Sequence, residues 1–111
     1  MTYSIEKVTS LIGAHRYGTA ATAVGFLLTD SRSLSFAEET LFFALKSERN
    51  DGHRYLADLH RRGVRNFVVE RLPENYSAEA GAEWADSNLL VVKSPLAALQ
   101  RLAERHRDAF D

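Results

Sequence analysis

Four short apolar runs divide the chain, and each is bordered by polar residues. The runs are Val24–Leu28, Leu41–Leu45, Phe67–Val69 and Leu89–Val92. None of them alternates cleanly between apolar and polar positions, which is typical of strands that are covered on both faces in parallel sheets. The pattern therefore predicts a mostly parallel sheet of about four strands.

Apolar residues at helical spacing lie before, between and after these runs. Each of these segments also has a residue suited to cap a helix N-terminus. Glycines that favour the left-handed conformation follow two of the segments. The helices predicted in this way lie between Ser4 and Gly13, between Asp51 and Gly63, and from Ser94-Pro95 to Phe110.

Strands that alternate with helices predict an α/β fold of three layers, with helices on both faces of the sheet. Residues 1–111 form a single domain of ordinary size. Residues 14–23 are interpreted as a loop, and 78–85 as a short helix weakened by Gly81. The predicted core consists of Phe26, Leu28, Phe42, Leu45, Leu59, Val68, Val91, Leu99 and Leu102.

The connection between the first two strands leaves their relative direction open. It consists of Arg32–Thr40, whereas parallel strands usually need a dozen or more connecting residues. A parallel pair would place the polar segments that follow the two strands at one edge of the sheet. An antiparallel pair would place them at opposite edges.

Composition narrows the class of partner. The formal net charge is −1 and there are no cysteines, which excludes disulfides and thiol catalysis. Neither nucleic acid nor an anionic membrane is expected as partner, because both recruit an excess of Lys and Arg. Arg61, Arg62 and Arg65 are interpreted as a solvated helix end. With no signal peptide evident, a cytoplasmic location is expected.

Two polar segments, each following an apolar run, are the candidate binding residues. Ligands of open α/β sheets bind beyond the carboxyl ends of the strands, and the second segment also leads into a helix N-terminus, which favours anions. Taken singly, each segment is better explained by turn and capping chemistry than by ligand binding. The candidates are Thr29, Asp30, Ser31, Arg32, Ser47, Glu48, Arg49, Asn50, Asp51 and His53.

Complete catalytic motifs are missing from the sequence. There is no G-x-S-x-G elbow and no Gly-rich phosphate loop. The four histidines have no partners at metal-ligand spacing, and Glu38-Glu39 are neighbours that would point apart. The chain alone is therefore predicted to have no catalytic residues, no metal and no cofactor.

In order and spacing, several segments resemble the N-terminal domain of the Mur ligases, and within them the branch that adds D-alanyl-D-alanine to UDP-N-acetylmuramoyl-tripeptide. The resemblance covers most of the chain from about residue 24. It departs where the family tends to have glycine, at Phe36–Thr40 and at Ser47. The matching segments are Thr29–Arg32, Leu41–Lys46, Glu48-Arg49, Asp51–Tyr55, Gly63-Val64, Phe67–Glu70, Val91-Val92 and Leu96–Ala103.

The resemblance implies a domain, cut from a longer enzyme, that holds the UDP end of a UDP-N-acetylmuramoyl-peptide. Thr29–Ser31 match the segment beside the uracil, and Ser47–Asn50 match the loop over the nucleotide. The parent would add an ATPase domain that binds ATP and Mg, and a C-terminal ligase domain. Some parents are fused to an alanine racemase, which uses pyridoxal phosphate.

Two functions from different classes follow. The first is substrate anchoring for an ATP-dependent amide-bond ligase of peptidoglycan synthesis. The second is a non-catalytic interaction or regulatory α/β domain that binds a protein partner, because a fold does not determine a function.

Overall fold

A computed structural model describes residues 3–77, 79 and 82–110, with the backbone alone for 106–110. Its centre is a five-stranded sheet in the order β2-β7-β6-β5-β4, and a separate pair joins β1 to β3. The strands are β1 Tyr3–Ser4, β2 His15–Tyr17, β3 Ala23–Val24, β4 Phe26–Leu28, β5 Thr40–Phe43, β6 Asn66–Val69 and β7 Asn88–Val91.

Three α-helices accompany the sheet: α1 Ile5–Ile12, α2 Leu56–Arg61 and α3 Pro95–Phe110. Short 3-10 turns at Ser31–Ser33, Ala37–Glu39 and Gly52–Tyr55 complete the connections. In the described part of the chain, no helix has the length and apolarity to cross a membrane.

Both faces of the central strands are buried, as the uninterrupted apolar runs predicted. Phe42 faces a cluster that contains Leu59 of α2. Its neighbours Leu41 and Phe43 face the opposite cluster, which contains residues of α1 and α3 such as Leu102. The predicted three-layer α/β architecture is confirmed.

The capping residues explain where the helices begin and end. Ser4 accepts a hydrogen bond from the Lys7 backbone N–H (3.2 Å), and Gly13 ends α1 with a φ of 65°. Ser94 accepts one from the Ala97 N–H (3.1 Å) and so starts α3 at Pro95. These boundaries agree with the prediction.

Strands β4 and β5 are parallel, with Phe26 opposite Thr40 and Leu28 opposite Phe42. Two 3-10 turns form the connection, which is extended enough to return the chain because each residue of such a turn rises about 2.0 Å. The segments that follow β4 and β5 therefore end at the same edge of the sheet, which settles the direction that the sequence left open.

The predicted strand Val24–Leu28 is wrong in two respects. The chain divides it into β3 and β4, and Phe26 is 42 % exposed rather than in the core. Strand β4 lies at the edge of the sheet, and the connection that follows it is too short to place a helix over it. The Phe26 ring stacks instead on Phe36, which is itself 60 % exposed.

The interpretation of residues 14–23 as a loop is also wrong. Strand β2 pairs antiparallel with β7, with His15 opposite Val91, and so adds a fifth strand to the predicted four. A side-chain contact fixes it, since Arg16 Nε donates to Asn88 Oδ1 at 3.0 Å. Such an anchor from a residue far along the chain leaves no local pattern in the sequence.

The predicted helix 78–85 falls partly on residues 78, 80 and 81, which lie outside the described residues. Residues 83–86 form turns, with the Ala85 N–H donating to Ala82 O (3.1 Å) and the Ser87 N–H to Trp84 O (3.1 Å). Among the described residues this segment is therefore irregular rather than helical.

Candidate functional site

The first polar segment and Asn50 of the second meet at the carboxyl edge of the sheet and line a common cavity. It has a volume of about 490 Å³ and is bordered by Thr29–Arg32, Asn50 and Tyr55. Cavities of this size accommodate small ligands. The parallel pairing of β4 with β5 makes this meeting possible, because both segments leave their strands in the same direction.

The first segment is a hydrogen-bonded turn. Asp30 accepts a hydrogen bond from the Arg32 N–H (2.9 Å) and receives two more from the Arg32 guanidinium, at 3.1 and 2.9 Å. The hydrogen bonds from the Arg32 side chain and backbone lower the pKa of Asp30. Arg62 of the α2 end donates to Ser31 O (2.8 Å) and so ties this turn to the helix layer.

The second segment begins with a tight loop. Lys46 and Asp51 form an isolated antiparallel bridge, inside which the Ser47 N–H donates to Asn50 O at 2.7 Å. No non-glycine residue in the described part of the chain has a positive φ, so Ser47 adopts its conformation without backbone strain. Ser47, Glu48 and Arg49 are exposed and do not line the cavity, although they directly precede Asn50, which does.

Asp51 and His53 line a neighbouring cavity of about 380 Å³, together with Arg54 and Arg71. The Asp51 carboxylate accepts from the His53 N–H (3.0 Å), from His53 Nδ1 (2.6 Å) and from Arg71 (2.9 Å). Because His53 Nε2 accepts from the Glu70 N–H (3.0 Å), Nδ1 carries the ring proton. This network joins the carboxyl ends of β5 and β6.

The ten candidate residues are thus divided between two adjacent cavities and an exposed loop. Asn50 lines the first cavity and Asp51 the second, and Asp51 has its acceptor positions occupied by protein donors. Sequence reasoning missed Tyr55 and Arg71. Arg71 follows the β6 run as the other candidates follow theirs, whereas the spacing of Tyr55 does not distinguish it from the apolar residues of a helix.

The network also determines the charge of Asp51. Burial raises the pKa of its carboxyl, but the hydrogen bonds from the His53 backbone, from Arg71 and from the His53 ring outweigh that effect, so the pKa falls well below its usual range. Asp51 is therefore expected to be ionised throughout the physiological pH range. In the described part of the chain, no group of three or more His, Cys, Asp or Glu residues could hold a metal ion.

Asp51→Asn is expected to lower the free energy of unfolding at pH 7 by about 1–3 kcal/mol, the usual scale for hydrogen bonds to a charged group. The depressed pKa of Asp51 makes this contribution fully present above the unfolded pKa of about 3.9. It is lost as the pH falls toward the folded-state value. Denaturant unfolding of both proteins between pH 7 and pH 2 measures the difference.

Asp58→Asn on α2 is the matched control, because its contacts with Arg61 and Arg62 are long, at 3.5 and 3.6 Å, and exposed. This change should cost under about 0.5 kcal/mol, as surface ion pairs usually do. A difference for Asp51→Asn that stays constant down to pH 2 would show that the carboxylate does not stabilise the fold.

Known proteins with the same architecture were found by sequence and by structure, although no family model matches the chain. The UDP-N-acetylmuramoyl-L-alanyl-D-glutamate–2,6-diaminopimelate ligase of Cytophaga hutchinsonii is 30 % identical over 105 residues, which is 95 % of this chain and 19 % of that protein.

Solved structures from Acinetobacter baumannii also match. A UDP-N-acetylmuramoylalanyl-D-glutamyl-2,6-diaminopimelate–D-alanyl-D-alanyl ligase superposes with a TM-score of 0.80 at 24 % identity, over 98 % of this chain and 22 % of that one. A crystal structure of MurF from the same organism gives a TM-score of 0.78 at 26 % identity, with the same coverage.

The chain folds as an α/β domain with a mostly parallel five-stranded sheet and a cavity at its strand ends. In its fold and its sequence, the chain is similar to the N-terminal region of Mur ligases. It spans about a fifth of the length of the proteins it matches, 19 % of the sequence relative and 22 % of the solved chains.

Proposed function

We propose that this domain holds the UDP moiety of a UDP-N-acetylmuramoyl-peptide for a ligase of peptidoglycan synthesis. The observation that carries the proposal is the cavity in which Thr29–Arg32 and Asn50 come together at the carboxyl edge of the sheet. The related proteins from Cytophaga hutchinsonii and Acinetobacter baumannii carry UDP-N-acetylmuramoyl substrates in their names. The amide-bond chemistry, with its ATP and Mg, would belong to parts of the parent outside this sequence.

The chemistry of the cavity suits a nucleoside diphosphate. Uracil presents donors and acceptors along one edge, and the ends of β4 and β5 offer backbone groups and the Asn50 amide. The diphosphate needs cations, and Arg49 is exposed on the loop beside the cavity. Among the described residues it has no hydrogen bond or ion pair to give up. Arginine is well suited to bind phosphate oxygens through paired N–H groups.

We further propose that the parent adds D-alanyl-D-alanine to the tripeptide. Both structural comparisons cited favour this branch, whereas the sequence relative adds diaminopimelate. In this proposal the other domains choose the added group, so ligases of both branches would share the UDP-binding step that this domain performs. Fusion to an alanine racemase, with pyridoxal phosphate, stays a prediction.

Chemical-shift mapping with UDP tests the proposal. We expect UDP to shift the amide resonances of Thr29–Arg32 and of Ser47–His53 together. Affinity should be weak, since other domains normally add contacts, and millimolar binding corresponds to only about −4 kcal/mol. Mapping detects contacts at that strength. Shifts confined to one segment, or centred on Arg61, Arg62 and Arg65, would contradict the assigned site.

Arg49→Ala separates the phosphate contact from the base contact. If Arg49 faces the diphosphate, the change should weaken UDP by about tenfold, in the range of a charge-assisted hydrogen bond, and leave uridine unchanged. Arg101→Ala, which removes an exposed arginine of α3, is the matched control. Equal loss of UDP and uridine affinity would remove Arg49 from the phosphate role.

One feature favours the second candidate function, a domain that binds a protein partner. Phe26, Leu27 and Phe36 are large apolar residues that are exposed at the β4 edge, and exposed apolar patches commonly mark interaction surfaces. The same mapping experiment distinguishes the two functions, because a ligand of this surface would leave the resonances of Ser47–Asn50 unmoved.

A further inference from the structure

Tyr55 is an aromatic residue in a cavity whose other lining residues are polar. It shares the wall with Thr29–Arg32 and Asn50, and its side chain also packs against the core cluster beneath α2. The ring is therefore anchored in the domain while it remains part of the cavity surface. Neither the sequence pattern nor the comparisons with known proteins assign it a role.

Two contacts hold the ring in place. The Tyr55 hydroxyl donates to Asn50 Oδ1 at 3.3 Å, which ties the ring to the loop that carries Ser47–Asn50. The guanidinium carbon of Arg54 lies 5.7 Å from the ring centroid, within the range of a cation–π contact. An aromatic ring held in this way loses little freedom when a planar group stacks on it.

We propose that the ring of Tyr55 is the stacking surface for the uracil base, and that it determines the preference of this cavity for a nucleoside over a bare sugar phosphate. Every nucleobase has a π face that can stack on an aromatic side chain. The polar residues around the ring then meet the edge of the base, which explains why one aromatic residue lies among polar ones.

Arg32 supports the same arrangement. Arg32 lines the cavity with Tyr55, and its exposed guanidinium makes two hydrogen bonds to Asp30. Arginine planes also stack on bases. A base in the cavity would thus be bordered by the Tyr55 ring and by the Arg32 side chain, and this inference rests on the proposed function, which makes the ligand a uridine nucleotide.

The test compares Tyr55→Phe with Tyr55→Leu in titrations of uridine, UDP and ribose 5-phosphate. The Leu variant should weaken uridine and UDP alike by about tenfold or more, the usual effect of losing one stacked base. The Phe variant should stay within about twofold of the parent. The H5 and H6 resonances of uracil should move upfield on binding to the parent and to the Phe variant, through the ring current.

Tyr76→Leu is the matched control, because Tyr76 is also a partly buried tyrosine packed on the same core cluster and lies outside the cavity. This change should leave the affinities for uridine and for UDP unchanged. If the Leu variant of Tyr55 does not fold, the upfield shift and a nuclear Overhauser contact between Tyr55 and uracil in the parent protein decide the matter.

The outcomes are distinguishable. UDP that shifts Thr29–Arg32 and Ser47–Asn50 without an upfield shift of H5 and H6 would overturn the role of Tyr55 and leave the proposed function standing. Equal loss of ribose 5-phosphate and uridine in the Leu variant would also overturn it, since a stacking role affects only the base. No UDP-dependent shift anywhere would overturn both proposals.

Discussion

Leu102→Ala is expected to lower the free energy of unfolding by about 2–5 kcal/mol, the usual cost of truncating a buried leucine. Leu102 is 2 % exposed and belongs to the cluster in which α1 and α3 pack on the sheet beside Ile5, Val8 and Val68. Truncation removes apolar area and leaves a cavity, because the flanking strands restrain how far the helices can relax. Denaturant unfolding, with the m-value compared, measures the loss.

Two other leucines of α3 provide a graded control. Leu96 is 51 % exposed, so Leu96→Ala should change stability by less than about 0.5 kcal/mol. Leu99, placed in the core by the sequence, is only partly buried against the same cluster, and its truncation should fall between the other two. Equal losses at Leu102 and Leu96 would mean that α3 does not use this face to pack on the sheet.

The parts of the fold that follow local rules could be predicted from the sequence. Apolar runs mark β5, β6 and β7 because both faces of these strands are covered. Capping residues such as Ser4 and Ser94 fix helix starts through contacts three residues away. Each of these signals lies within a few residues of the structure it specifies.

The errors arose where distant residues decide the structure. His15–Tyr17 form a strand because β7 supplies the partner, and Asn88, 72 positions away from Arg16, fixes it. The sequence pattern places Phe26 in the core, but this residue lies in the edge strand of the sheet, where no helix covers it. An apolar run shows that a strand is present, but it does not show whether that strand is central or at an edge.

The sequence predicted that some of the candidate residues lie together, but not how the two cavities divide them. The rule that ligands bind beyond strand ends correctly placed Thr29–Arg32 and Asn50 beside each other. It could not show that Asp51 turns into a neighbouring cavity, because that depends on Arg71 and His53. Nor could it find Tyr55, since helical spacing alone does not distinguish a core ring from one in a cavity wall.

Gly52→Ala is expected to lower the free energy of unfolding by about 1–3 kcal/mol, the usual cost of overpacking, and to disturb both cavities. A Cβ at Gly52 would lie 2.8 Å from Ala44 Cα and 2.8 Å from Leu45 N, which are backbone atoms that cannot rotate away. The Gly52 N–H also donates to Leu45 O at 2.7 Å. The requirement is therefore space, since Gly52 is not among the glycines with positive φ.

Gly13→Ala is the matched control for this change. Gly13 has open space around its Cβ position and a φ of +65°, so its substitution should cost about 1 kcal/mol through backbone conformation alone. In Gly13→Ala, the amide resonances of the residues that line the two cavities should not move.

In Gly52→Ala, by contrast, the amides of Ala44-Leu45 and of Asn50–His53 should shift together, because the new side chain at position 52 must move away from the end of β5. A Gly52→Ala protein as stable as its parent, with unmoved resonances in these segments, would show that the loop does not pack on the strand end and would remove the structural basis for placing Asn50 in the cavity.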